Sequence, residues 1–411
     1  EEKYTDQYRC DSCDMFLPDR YVEGTCPLCG AEGARGDQCD SCGGAFEQDK
    51  LVEPLCVSCG AKPDLTSTQH WFFRLDRYED RLKDWLESRE GWRDNVRNFS
   101  LGTIKEGLPA RSITRDLEWG VPVPLEEAKD KVLYVWFDAP VGYISFTREM
   151  FRERGQEDEW RSWWQDDDVD IVHFIGKDNI IFHAVIWPAM LLGHDQFQLP
   201  SSIPANEFLN FKGEKFSKSR GVGVTAEEIL ELFEADRVRY YLTAVAPEAK
   251  DTSFTWEEFV QRNNDELSDV IGNLAHRVFT FTKKNFDSKI PEGASDSPFI
   301  EEVLQVLQEA RQGWSAALHK YRFREALDKV VTLARHGNRL FDAAAPWKSR
   351  KTDLKRCGCD LAALLEVVHG VSVLLLPFVP ETAGRLVAAF EEAAGPAGEV
   401  VGVLGDRTLL Q

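Results

Sequence analysis

The chain of 411 residues is poor in positive charge: 49 Lys and Arg stand against 70 Asp and Glu, a net charge of −21. That balance repels phosphate at long range and argues against a globally basic nucleic-acid binder, although it leaves a local cationic patch open. Long apolar runs are lacking too. The longest, Leu361 to Leu376, is broken by Glu366 and His369 and falls short of a bilayer span. Neither a basic nor an apolar leader opens the chain, which begins EEKYTDQYRCDSC. Membrane and secreted readings therefore drop out, and a cytoplasmic protein is expected. With 43% hydrophobic and 29% charged residues, the composition is globular and the length allows two to four domains. The acidity also suits a high-salt interior, where the Debye length shrinks to roughly 3 Å at 1 M salt.

Cysteine is nearly absent after residue 60, where only Cys357 and Cys359 occur, and these read as ordinary unpaired thiols in a loop. The other eight form four CxxC pairs: Cys10/Cys13, Cys26/Cys29, Cys39/Cys42 and Cys56/Cys59. A two-residue gap lets a tight turn aim both sulfurs at one point, and two such knuckles complete a tetrahedral thiolate site. Eight sulfurs thus predict two structural Zn²⁺. A disulfide framework needs an oxidising compartment, and a redox CxxC would occur once beside a βαβ unit. Spacing alone leaves three ways to pair the knuckles. Phe16, Leu17, Leu28, Phe46 and Leu51 are too few for an independent core, so metal is the expected organiser of this segment.

Beyond the knuckles, residues from about His70 to Gly107 read as helical. Val132 to Asp138 (VLYVWFD) and Val169 to Gly176 (VDIVHFIG) are apolar runs of strand length, the pattern of buried parallel strands. The second run enters Lys177-Asp178 and a helix carrying Ile180, Ala184, Trp187 and Leu191. Strand, tight turn and helix in that order mark the crevice end of a doubly wound sheet, where ligands bind. From Trp256 onwards the pattern is helical. Leu267, Ile271, Leu274, Val278 and Phe281 form one stripe, and Phe323, Leu327, Val330, Ala334 and Leu340 or Phe341 another. A C-terminal antiparallel helical bundle is predicted. The fold class is thus α/β plus α. It comprises a knuckle-bearing connective insertion (1–131), the C-terminal half of a Rossmann-type parallel sheet (132–208), a loop region (209–262) and the bundle (263–411).

Between sheet and bundle lies GEKFSKSRG (213–221), whose Lys215 and Lys218 on a Gly-bounded loop make a clamp for phosphate oxygens. KFSKS resembles the KMSKS signature of class I aminoacyl-tRNA synthetases, with Phe216 replacing Met. The knuckles with MFLPDRYVEGTCPLCG between them, then VWFDAPVGY, HFIGKDNIIFH, GEKFSKSRG, NLAHR and AAPW, follow the order of the methionyl-tRNA synthetase family. The resemblance spans nearly the whole chain.

That resemblance implies ATP-dependent ligation of L-methionine to tRNA(Met) through methionyl-adenylate, with Mg²⁺ accompanying ATP. It implies a methionine pocket of Trp136, Ala139, Pro140, Tyr143 and His183, where aromatic walls suit a thioether. Ile186 stands where the family often has an aromatic residue. Gly176 and Asp178 are expected at the ATP ribose, and Arg115 of the SITRD segment at the phosphates. Lys215 and Lys218 are expected to neutralise charge developing on pyrophosphate. Asn273 and Arg277 match the anticodon-reading pair, four apart on one helix face. Trp347 matches an aromatic on which an unstacked base packs. The family also implies nested knuckles, outer with outer and inner with inner. Its HIGH signature does not occur in these 411 residues. The expectation is therefore a piece whose partner is an N-terminal HIGH-containing segment, inactive in amino-acid activation by itself. Another class I synthetase (leucyl, isoleucyl, valyl or cysteinyl) and a non-catalytic, zinc-stabilised tRNA-binding protein are the competing readings.

Overall fold

A computed structural model describes residues 1–36, 39, 41, 42, 46, 48–216 and 221–394. The chain divides into two units, Glu1–Ala205 and Asn206–Gln411.

In the first unit, strands Glu2–Cys10 and Asp64–Phe73 pair antiparallel from Glu2↔Trp71 to Arg9↔Asp64. Met15–Phe16 and Arg111–Ser112 extend them to a four-stranded sheet. The Asp64–Phe73 strand is rich in Thr and aromatic residues, which favour a pleated, half-buried surface. Thr68 and His70, two apart, point into the protein. This corrects the helical expectation from His70: after a 3₁₀ turn at Leu75–Tyr78, α-helices begin only at Glu79–Glu87 and Asp94–Glu106. The knuckles sit around a second small sheet of Ala34–Arg35, Val22–Thr25 and Val52–Cys56. Its core is Tyr8, Leu17, Val22, Ala34 and Leu51 with the sulfurs of Cys10, Cys26, Cys39 and Cys56.

The expected strand over 132–138 is also corrected. Only Val132–Leu133 is strand, paired antiparallel with Thr114–Arg115, and Val135–Asp138 is a helical turn. The Tyr134 amide donates to the Ile113 carbonyl, after which Phe137 and Asp138 turn back onto Tyr134. Pro140, lacking an amide, precedes the helix Val141–Glu153. An unbroken apolar run has no period to separate strand from helix. The run at 169–176 does lie in a parallel pairing: Val172 bridges Ser202, the His173 amide donates to Ser202 and that of Ile175 to Pro204. Strand Ile175–Gly176 then leads through a 3₁₀ turn at Lys177–Asn179 into a π-turn, Phe182–Ile186, and the helix Trp187–His194. Ile180, Ala184 and Val185 pack there against Leu75, Leu82, Leu86 and Val96.

In the second unit, Leu209–Phe211 pairs antiparallel with Glu214–Lys215 and parallel with Thr252–Phe254. Thr225 caps the helix Ala226–Leu232 reciprocally with Glu228. Trp256–Arg262 continues through a ten-residue π segment, Asn263–Gly272, into Asn273–Asn285. Ile300–His319, Phe323–Ala344, Pro346–Thr352, Leu354–Leu375 and Pro380–Ala394 complete the bundle. Both predicted stripes enter its core, including Ile271, Leu274, Val278, Leu327, Val330 and Ala334. The helix Leu354–Leu375 has the length and hydropathy to cross a membrane, yet 83% of its apolar window is buried inside the protein. Cys357 and Cys359 lie in this helix, both buried, which corrects the loop expected for them. Gly358 between them packs closely, because a Cβ there would sit 3.3 Å from the Phe286 ring, which would have to give way by a few tenths of an ångström.

Candidate functional site

The residues expected to form a methionine pocket all lie on the first unit. The Tyr143 hydroxyl lies 2.9 Å from His183 Nε2, and His183 Nδ1 lies 3.1 Å from the Asn179 carbonyl. The π-turn that holds His183 carries an extra residue per turn, a feature often found at functional positions. His173, which the motif reading passed over, closes the group. Its ring centroid is 5.0 Å from Tyr143 and 5.1 Å from His183, with Nε2 buried and unbonded. Burial and the neighbouring His183 push the His173 pKa down to about 4, and burial lowers that of His183 as well. Both rings are therefore neutral at pH 7. Trp136, 48% exposed, faces Phe182 with centroids 5.9 Å apart. Ala139 is exposed and Pro140 buried in the turn between the two helices. Phe146 and Phe174 add exposed aromatic surface on the same unit.

Gly176 and Asp178 meet at the strand end, where a Cβ on Gly176 would stand 2.6 Å from Asp178 Oδ1. Only glycine admits the carboxylate there. Arg115 sits on the Thr114–Arg115 strand. Its Cζ stacks 3.8 Å from the centroid of Tyr134, and its Nη1 donates to the Thr114 carbonyl at 2.9 Å. Tyr134 carried no sequence signal, since its partner lies across the hairpin.

On the second unit, Lys215 ends an exposed hairpin with its Nζ 5.2 Å from the Phe208 ring centroid. Lys218 lies outside the described residues. Asn273 borders an open cavity of about 650 Å³ with Ser268, Asp269, Gly272 and His276. Arg277, one turn on, pairs with Asp342 and stacks 4.3 Å over Phe341, whose ring is 6.0 Å from that of Trp347. Arg277 and Trp347 are thus joined through Phe341, and Trp347 remains 42% exposed.

The eight thiols form two nested clusters, Cys10/Cys13/Cys56/Cys59 and Cys26/Cys29/Cys39/Cys42, each within 4.8 Å. Sulfur separations of 3.5 and 3.9 Å in the outer set and 4.0 and 3.7 Å in the inner one bracket the roughly 3.8 Å edge of a tetrahedron with 2.3 Å Zn–S bonds. Gly30 and Gly60 close their knuckles at positive φ, donating to the carbonyls of Cys26 and Cys56. The donor set fits zinc at both clusters.

The sequence profile described as tRNA synthetases class I (M) matches residues 1–279, and that of the anticodon binding domain of methionyl tRNA ligase matches 290–398. A methionine–tRNA ligase of Methanopyrus kandleri is 45% identical over 386 residues, 94% of this chain and 57% of the relative. Its counterpart from Thermococcus kodakarensis is 44% identical, over 94% of this chain and 54% of its own length. The chain spans little more than half the length of these relatives. A solved Mycobacterium tuberculosis methionyl-tRNA synthetase, in complex with methionyl-adenylate, superposes with a TM-score of 0.74 at 28% identity, covering 94% of this chain and 70% of that one. The Rossmann-like portion, the helical anticodon domain and both profiles agree: the chain belongs to the methionyl family of class I tRNA synthetases.

Proposed function

We propose that this chain serves the ATP-dependent attachment of L-methionine to tRNA(Met). The methionine carboxylate attacks the α-phosphorus of ATP, forming methionyl-adenylate and releasing pyrophosphate. The terminal ribose of the tRNA then takes the acyl group and AMP leaves. Trp136, Ala139, Pro140, Tyr143 and His183 hold methionine, with aromatic faces for the thioether. Gly176 and Asp178 receive the ATP ribose, the carboxylate accepting from its hydroxyls. Arg115, Lys215 and Lys218 stabilise charge on the phosphates, for which a well-placed donor is worth about 3–4 kcal/mol. Mg²⁺ accompanies ATP and neutralises part of its charge. Asn273, Arg277 and Trp347 read the anticodon by edge hydrogen bonds and stacking. Two zinc ions hold the knuckles in structural sites with no open coordination position.

The observation that carries this reading is the neutral Tyr143–His183 pair beside Trp136, an uncharged aromatic recess at the end of the parallel strand pair. Trp136 leaves apolar surface exposed there, Phe146 and Phe174 are exposed elsewhere on the same unit, and a further polypeptide segment covering Trp136 would complete the activation site. Two measurements test the reading. Trp347→Ala in the complete enzyme should lower tRNA charging while ATP–pyrophosphate exchange is preserved, and equal losses in both would overturn the division of labour. The 411-residue chain alone should show no exchange, and robust exchange would remove the need for a covering segment.

A further inference from the structure

We propose that His70 and Asp116 are positioning residues that aim Arg115 at the triphosphate. This rests on the phosphate role given to Arg115 above. The carrying observation is that one imidazole spans both sequence neighbours of Arg115. His70 is fully buried, with Nδ1 2.8 Å from Thr114 Oγ1 and Nε2 3.0 Å from Asp116 Oδ2.

The strand period explains the arrangement. Thr114 and Asp116 face inwards from the Thr114–Arg115 strand, so Arg115 projects from the opposite face. On the inner side the anchors come from two places, the long Asp64–Phe73 strand, which supplies Thr68, His70 and the Trp71 amide, and Lys131. Thr114 Oγ1 also accepts from the Trp71 amide at 3.2 Å, which fixes it to the long Asp64–Phe73 strand. Thr68 donates to Asp116 Oδ2 at 2.9 Å, and Lys131 pairs with Asp116 Oδ1 from the facing side of the hairpin. Burial alone would raise the Asp116 pKa. The nearby His70 imidazole and the hydrogen bonds from Lys131 and Thr68 outweigh it and hold the carboxyl down to about 2. On the outer side, Arg115 stacks on Tyr134 and donates to its own strand.

A buried ionic cluster is weak evidence for stability, because an apolar replacement of equal shape is often as stable. What such a cluster supplies is directional bonding. Here those bonds converge on residues 114 and 116, leaving the backbone of Arg115 little freedom. A guanidinium held in one orientation loses less conformational entropy on binding an anion than a free one does.

The test compares Arg115→Ala, Asp116→Asn and the near-isosteric Thr114→Val in the complete enzyme. Asp116→Asn should raise the KM for ATP in pyrophosphate exchange about tenfold, with the KM for methionine unchanged. Thr114→Val should raise it less. In the 411-residue chain, the Nε–Hε resonance of Arg115, shifted by the Tyr134 ring, should move in both variants; this readout does not depend on activity. If Arg115→Ala raises the ATP KM while Asp116→Asn and Thr114→Val do not, the positioning role is overturned and the phosphate role stands. If Arg115→Ala leaves the ATP KM unchanged, the phosphate role falls and this proposal with it. Should Asp116→Asn fail to fold, Thr114→Val decides between the same two outcomes.

Discussion

Tyr143 and His183 are bonded in one sense only. The Asn179 carbonyl beside Nδ1 can only accept, so Nδ1 carries the imidazole proton and Nε2 accepts from the Tyr143 hydroxyl. Tyr143→Phe removes a hydrogen bond worth about 0.5–1.5 kcal/mol. The KM for methionine should rise several-fold with little change in the KM for ATP, as measured by pyrophosphate exchange. A parallel rise in both would place Tyr143 outside the amino-acid recess.

Metal content should be two zinc ions per chain, and cobalt replacement should give the absorption of tetrahedral thiolate sites. Cys26→Ser should lose the inner ion and keep the outer one, since the two sulfur clusters share no ligand. Chelation should unfold the segment around the knuckles while the helical bundle keeps its circular dichroism.

Acid should weaken the first unit in a defined window. His173 titrates near 4 in the folded protein, against an ordinary 6.5, so the unfolded chain binds more protons between those values. Its contribution is complete above pH 6.5 and is lost as pH falls towards 4. Urea melts from pH 7 to pH 4.5 should show this slope, and His173→Phe should flatten it.

Glu366 carries the opposite sign. Burial in the helix Leu354–Leu375 raises its carboxyl to about 7 from an ordinary 4.5. Its neutral form therefore stabilises the fold most below pH 4.5, and that contribution disappears as pH rises through 7. Glu366→Gln should raise stability at pH 8 by about 1–3 kcal/mol and leave it nearly unchanged at pH 4. Thermal melts at the two pH values check this.

Chemistry confined to short spacings was legible in the sequence. Four CxxC pairs announce sulfur clusters because the turn that converges two thiols is local, and the 3.6-residue stripes through Leu274 and Leu327 describe buried helix faces directly. Family resemblance supplied the nesting of the knuckles, which spacing alone could not. The run at 132–138 misled because apolar character without a period fits a strand or a helix, and the hydrogen bond from Tyr134 to Ile113 that ends the strand is a tertiary matter. Cys357 and Cys359 misled because Gly358 reads as a loop residue until the Phe286 ring packed against it is seen. His70 and Asp116 sit 46 positions apart in sequence, so nothing local linked them. His173 escaped notice because it lies inside a motif whose named members stand further along.

The nesting of the sulfur clusters sets an order of assembly. Cys29 and Cys39 are 10 positions apart, whereas Cys13 and Cys56 are 43 apart. Closing the longer loop in an otherwise free chain costs about 1 kcal/mol more. Once an ion has gathered the inner four thiols, the outer pair of knuckles is separated by a shortened tether, so the first ion lowers the entropic barrier to capture of the second. Filling the inner cluster thus favours the outer one by about 1 kcal/mol without being required for it, and a chain starved of metal should surrender the outer ion first.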